Sequence, residues 1–236
     1  MAYFNTLKSS VMMVRGMAAL VALLSLASCT VTYQFDPIEA WVVDAETGKP
    51  IEGAVVTANW ELVKGSLDGP RYYGQLEVKE TVTDKSGRFF FEGFSKEDTS
   101  GAELRESDPQ VLIFKAGYEY QRFTNDYRDG GAGLKKARRT AAVNGKTVKL
   151  LSMLSPEANK LQRSSMYFGL HTRYRYLVDD CHWKSIPRAM VAMDREYRRA
   201  KATNPSVYVD LINSGTLESL TEKCGSSTYL FQEHQK

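Results

Sequence analysis

From Ile38 to about Met153 the chain never sustains an apolar period of 3.6 residues; recurrent turn signals cut it into short β-rich runs. A segment of this kind buries its apolar faces sheet against sheet rather than helix against helix. Ile38-Glu39-Ala40-Trp41-Val42-Val43-Asp44 is the first run, followed by the turn Glu46-Thr47-Gly48-Lys49-Pro50. Gly53 to Leu62 predicts a second strand, with Val55, Thr57 and Asn59 on one face and Ala54, Val56, Ala58 and Trp60 on the other. Gln75 to Asp84 alternates, and Asp84-Lys85-Ser86-Gly87 turns into Arg88-Phe89-Phe90-Phe91. Gln110 to Lys115 is a continuous apolar strand, reversed at Ala116-Gly117 into Tyr118 to Phe123. Asn144-Gly145 is the strongest short hairpin signal and leads into Thr147-Val148-Lys149-Leu150-Leu151. About seven strands without an intervening helical pattern predict an antiparallel β-sandwich over residues 38–154.

Several of these runs resemble a family pattern. Val43 to Val56, with Thr47-Gly48-Lys49-Pro50 at its centre, looks like the opening of carboxypeptidase regulatory-like domains, which are transthyretin-like sandwiches. Thr83 to Phe91 resembles the second block of that pattern and Val111 to Tyr118 the third, in family order. The resemblance implies an accessory or binding module and defines no ligand residues, since such a fold hosts unrelated functions. Two loops enlarge the sandwich, Lys64 to Gly74 and Ser95 to Pro109. In the first, Tyr72 and Tyr73 could join Trp60 as an aromatic platform for a sugar ring; the other reading has Trp60 filling the core under the tyrosines.

The amino-terminal segment carries an address. Lys8 and Arg15 precede an apolar run over residues 17–27, and no acid occurs before Cys29. The run is shorter than the roughly 20 residues a spanning helix needs and suits a signal-peptide core. Leu26-Ala27-Ser28-Cys29 resembles a bacterial lipobox, in which the Cys thiol takes a diacylglyceryl unit. The resemblance implies that residues 1–28 are removed, that Cys29 is acylated (palmitate on its amino group included), and that residues 29–37 form an anchor linker. Several buried chains hold firmly where one holds marginally. Thr30 rather than Asp follows the Cys, which by the same analogy implies the outer membrane, facing the periplasm. An exported chain whose Cys29 is acylated keeps Cys181 and Cys224, most simply as a disulfide. Closing a loop over 43 positions is worth about 4 kcal/mol on chain entropy. A metal site there lacks any ligand-pair spacing such as Cys-x-x-Cys; no metal or cofactor is expected.

Residues 155–236 read as a helical extension of two to three helices. Ser155-Pro156-Glu157 is a helix start. A second helix begins near Ser185-Ile186-Pro187, with Ile186, Ala189, Met190, Met193, Tyr197 and Ala200 on one stripe, and ends at Asn204-Pro205. A third short helix is expected over 216–223, stopped at Gly225.

Hydrophobic residues at 43% and charged residues at 25% exclude global disorder and a multi-span membrane protein. A net charge of +3 gives no case for nucleic acid as a partner. The charge is polarised, with 16 Lys/Arg against 5 Asp/Glu over residues 130–201 and 11 against 19 over residues 30–129. The basic part, including Lys135, Lys136, Arg138 and Arg139, either docks on the acidic sandwich or meets lipid phosphates, a cell-wall polymer or an acidic envelope partner. No Gly-x-Ser-x-Gly, His-Glu-x-x-His or P-loop motif occurs. Asp179-Asp180 beside His182 reads as a polar helix end, so no catalytic residue is assigned. Three functions remain: a non-catalytic binding or scaffold module on a lipid anchor, a carbohydrate- or peptidoglycan-binding module, and an envelope hydrolase with an unrecognised site.

Overall fold

The computed structural model describes residues 30–125, 140–153, 181–193, 195, 224 and 225. The leader with Cys29, the basic residues 135–139, the helix expected from Ser155, Asp179-Asp180, Tyr197, Ala200 and residues 216–223 lie outside them. Among the described residues ten strands follow one another: β1 (Val31–Phe35), β2 (Ile38–Asp44), β3 (Val55–Lys64), β4 (Arg71–Val82), β5 (Arg88–Phe91), β6 (Phe94–Asp98), β7 (Glu103–Leu104), β8 (Gln110–Phe114), β9 (Gln121–Phe123) and β10 (Thr147–Leu150). After them come a 3-10 turn, His182–Ser185, and helical residues 187–193. Contacts divide the chain into a small unit of residues up to Tyr33 with Lys96–Gly101, and a large unit holding Gln34–Ser95 and everything from Ala102 onward.

The fold is mainly β and sandwich-like. One sheet has the order β4-β3-β8-β9, with β7 added on β3; a second has the order β10-β2-β5, and β1 pairs with β6 as a two-stranded ribbon. Three strands exceed the sequence expectation. β1 occupies what reads as a linker, and β6 and β7 occupy what reads as a polar loop; all three are short or largely exposed, so they lack the apolar alternation that marks a half-buried strand. β4 also begins at Arg71, four residues before the expected Gln75, which shortens the loop after β3.

The expectation of a wholly antiparallel sheet needs correction. β10 runs parallel to β2, with Thr147 opposite Trp41 and Leu150 opposite Asp44. Asn144-Gly145 does form a turn, with the Lys146 N–H donating to the Val143 carbonyl at 3.1 Å. That turn does not close a hairpin. Asn144 Oδ1 accepts the Glu39 N–H at 2.8 Å and the Gly145 N–H donates to the Glu39 carbonyl at 2.7 Å, so the turn plugs onto β2 and sends β10 along it. Parallel neighbours need a long crossover, and here the crossover is the remainder of the sandwich.

The turn before β5 shows how sequence sets the core. Asp84 Oδ1 accepts the N–H groups of Ser86 and Arg88, and Gly87 sits at φ +77°. Its carbonyl accepts the Val42 N–H at 2.8 Å, and a Cβ on Gly87 would stand 2.3 Å from the Val42 oxygen. Behind it, the buried Thr83 hydroxyl donates to the Ile51 carbonyl at 2.6 Å and accepts the Ala54 N–H at 2.8 Å, tying the entry of β3 to the exit of β4. Gly87→Ala should therefore cost about 2–4 kcal/mol, from left-handed strain plus the clash. Gly48→Ala, also at positive φ but with nothing within 4 Å of the added Cβ, should cost only the strain, about 1–2 kcal/mol. Urea unfolding midpoints of the two variants separate the contributions; equal losses would show that the close approach to Val42 does not constrain the turn.

Candidate functional site

The most chemically unusual place in the large unit lies where β3 loses register with β4. The pairing shifts between Trp60 and Glu61 and again between Leu62 and Val63, leaving Glu61 opposite Gln75. Glu61, Asn59 and Asp108 are buried together there. Glu61 Oε1 accepts a hydrogen bond from Asn59 Nδ2 at 3.1 Å, while Oε2 pairs with the Arg105 guanidinium. The Glu61 backbone N–H donates to Asp108 Oδ2, and the Glu61 carbonyl accepts the Arg105 N–H at 2.7 Å. Gln110 Nε2 reaches Asp108 Oδ1 at 3.3 Å. Asn59 Oδ1 and both amide atoms of Gln75 are buried without a hydrogen-bond partner among the described residues.

Burial is the main force on Asp108. It pushes the carboxyl up to about 7; the Glu61 N–H, Gln110 and Arg105 pull the other way, and the Glu61 carboxylate adds to the rise. A carboxyl that titrates near neutrality is the kind of group catalysis uses. This one is fully enclosed, at 0% exposure, and both its oxygens are occupied by its own chain. It holds the 103–110 segment on the bulged end of β3, and its chemistry is spent there.

A second carboxylate meets the helical segment. Glu80 on β4 accepts the Arg188 N–H at 3.1 Å through Oε1 and the Ala189 N–H at 2.6 Å through Oε2. Those N–H groups have no intrahelical acceptor, so a carboxylate from the sheet completes the helix start just after Pro187. Burial raises the Glu80 pKa, and the two backbone donors with the Arg188 charge oppose it. The Ile186, Ala189, Met190 and Met193 stripe then packs with Trp183 on Val55, Val78, Leu112 and Phe114 of the sheet. Cys181 and Cys224 form the disulfide, Cα atoms 5.5 Å apart, and Cys224 is part of the same cluster.

The residues proposed for a sugar platform fall in different settings. Trp60 is 1% exposed, with its ring 5.3 Å from Phe35 and edge-on to Phe94 at 4.9 Å, so it offers no face to a ligand. Tyr72 is half-buried, and Tyr73 is exposed with Lys64 Nζ 3.7 Å above its ring. Sequence reasoning missed Glu61, Asp108 and Glu80. Their only signal is position: Glu61 lies on a strand whose neighbours are apolar, and Glu80 follows the alternation of β4 onto the face the helix covers. Among the described residues no group of three or more His, Cys, Asp or Glu converges as a metal site, and no helix is long and apolar enough to cross a membrane.

Two variants test these roles. Between about pH 4 and 7 the folded chain keeps a proton on Asp108 that the unfolded chain, with an ordinary carboxyl, has lost; stability from this group therefore falls as pH rises to about 7 and is level above it. Asp108→Asn keeps an acceptor for the Glu61 N–H and cannot ionise. Its melting temperature should rise relative to the parent between pH 4 and 7.5, and a constant difference over that range would refute the assignment. Glu80→Ala orphans two helix-start donors and should cost about 1–2 kcal/mol. Amide exchange should accelerate most over residues 187–193; unchanged exchange there would show that Glu80 does not hold the helix.

No protein-family model matches the chain, and no curated protein matches it. Solved structures similar to it include two pilins and a lipoxygenase. A streptococcal ancillary pilin is 15% identical over 52% of this chain with a TM-score of 0.26, and this chain spans 30% of that pilin. The C-terminal domain of the shaft pilin SpaA from Lactobacillus rhamnosus GG is 15% identical over 52% of this chain and 97% of its own, with a TM-score of 0.22. A 9R-lipoxygenase from Cyanothece is 14% identical over 82% of this chain and 29% of its own, with a TM-score of 0.28. Likenesses of this size assign no function.

Proposed function

We propose that this chain is a lipid-anchored protein of a bacterial cell envelope, acylated at Cys29 in the outer membrane and facing the periplasm. Its sandwich-like part, resembling a carboxypeptidase regulatory-like domain, serves as a non-catalytic binding or scaffold module. The observation that carries the anchor is the order of its leader: Lys8 and Arg15, the apolar residues 17–27, then Leu26-Ala27-Ser28-Cys29. The Cys181–Cys224 disulfide supports an exported location, because such bonds persist in oxidising compartments.

The scaffold reading draws on what the buried polar groups do. Glu61, Arg105 and Asp108 bind one another and the backbone of β3, and Glu80 binds a helix start. Each is engaged in holding the fold. The aromatic alternative loses its principal ring, since Trp60 is enclosed.

Intact mass of the membrane-extracted protein tests the anchor. The expected species begins at Cys29 and carries a diacylglyceryl unit and an amino-terminal acyl group. Cys29→Ser should leave an unacylated precursor with residues 1–28 attached. An unmodified Cys29 behind an intact leader in the parent protein would overturn the reading.

A further inference from the structure

The β3–β4 hairpin runs on past the core. Leu62 and Val63 are the last buried residues of β3, and from Lys64 to Asp68 every residue is exposed. The ladder still continues outward, with Val63 opposite Tyr72 and Lys64 opposite Arg71. At the tip the Gly69 N–H donates to the Ser66 carbonyl at 3.1 Å, and the Ser66 N–H donates to the Gly69 carbonyl at 3.2 Å. The Ser66 hydroxyl donates to that same carbonyl at 2.6 Å, and Asp68 pairs with Arg71 at 2.6 Å. Turns of this kind favour small or polar residues. Leu67 stands there instead, fully exposed. Single apolar residues on a surface are ordinary, but this one is raised on a braced arm and adds nothing to the core.

The neighbouring side chains suit a boundary between water and lipid. Tyr73 is exposed, with Lys64 Nζ 3.7 Å above its ring, and Arg71 lies across from Lys64. Tyrosine rings gather at such boundaries, and Lys and Arg stems lie along apolar surface while their heads stay in water. Asp68 is the only acid between Leu62 and Tyr73, so the arm carries a charge of +1. One leucine falls far short of the roughly 1,000 Å² that a protein–protein contact needs. A chain already tethered to a bilayer needs less, because insertion is then intramolecular.

The lengths of chain agree with this. Phe35 is buried in the large unit, its ring 5.3 Å from that of Trp60. Cys29 lies six positions before Phe35, at most about 22 Å of extended chain. Leu67 lies seven positions after Trp60, at most about 24 Å at strand spacing. Anchor and tip thus have nearly equal reach from one pair of rings.

We propose, resting on an acylated Cys29, that the β3–β4 arm is a second membrane contact. Leu67 enters the apolar edge of the bilayer that holds the acyl chains, and Tyr73, Lys64 and Arg71 lie at headgroup level. The anchor supplies attachment, and the arm fixes which way the sandwich faces.

The full chain, extracted in nonionic detergent, is reconstituted into vesicles of phosphatidylethanolamine and phosphatidylglycerol. A phosphatidylethanolamine with a diazirine on its acyl chain labels what enters the hydrocarbon, and peptide mapping locates the label. The parent chain should be labelled within residues 64–73. Leu67→Asn, uncharged and suited to a turn, should lower that labelling about tenfold, with flotation on the vesicles and melting temperature unchanged. Leu67→Phe, which keeps an apolar tip, should retain it. An acylated, vesicle-bound parent without label at 64–73, or full labelling of Leu67→Asn there, would overturn the proposal and leave the anchor standing. A chain that carries no acyl group by intact mass and does not float would overturn both. An arm that fits an apolar pocket of another protein would also go unlabelled, since these vesicles hold no other protein.

Discussion

Nine successive residues of β3, Val55 to Val63, are buried, so both faces of the central sheet must be covered. An antiparallel sheet commonly leaves one face to water and shows it by polar alternation. β3 does alternate, with Thr57, Asn59 and Glu61 on one side and Ala58 and Trp60 on the other, but its polar side is enclosed as well. Toward the β4 exit that side is closed by Trp183, Ile186 and Met190. Toward the bulge it is closed by the 103–110 segment, whose Arg105 and Asp108 meet Glu61. The helical segment and the polar cluster answer one requirement at two ends of a single strand face.

Such an arrangement explains how these acids fit in an enclosed place. A buried carboxylate without a partner is costly. Glu61 has Arg105 and the Asn59 amide, and Glu80 has two helix N–H groups. Asp108 has donors too, but burial outweighs them, and the neighbouring Glu61 carboxylate adds to the rise.

What could be read in the residues, and what could not, follows from range. Ile38–Asp44 and Arg88–Phe91 form strands with the bounds expected of them, because local alternation and the Asp84-Gly87 turn specify both. The stripe of Ile186, Ala189, Met190 and Met193 is likewise local, and it packs as one face. β10 is different. Its strand character was plain, but its direction depends on Asn144 and Gly145 reaching Glu39 across more than a hundred positions. Trp60 illustrates the same limit: a large aromatic beside a tyrosine pair is compatible with a ligand platform until Phe35 and Phe94 are seen closing on it. The polar cluster was the least readable, since Asp108 stands in a segment whose composition is that of an ordinary solvated loop.

The charge imbalance between the two parts of the chain looks, from counts alone, like simple complementarity between basic helices and an acidic sandwich. Where the described helical segment meets the sheet, the contact is made differently. The acid on the sheet, Glu80, takes the backbone dipoles of the helix start, not an ion pair through an arginine side chain. Arg188 and Arg195 stand with Lys115 at the edge of that contact, beside apolar Val55 and Phe114. Because Glu80 accepts two main-chain donors, the contact that fixes the helix on the sheet spends its carboxylate on backbone dipoles rather than on a side-chain cation.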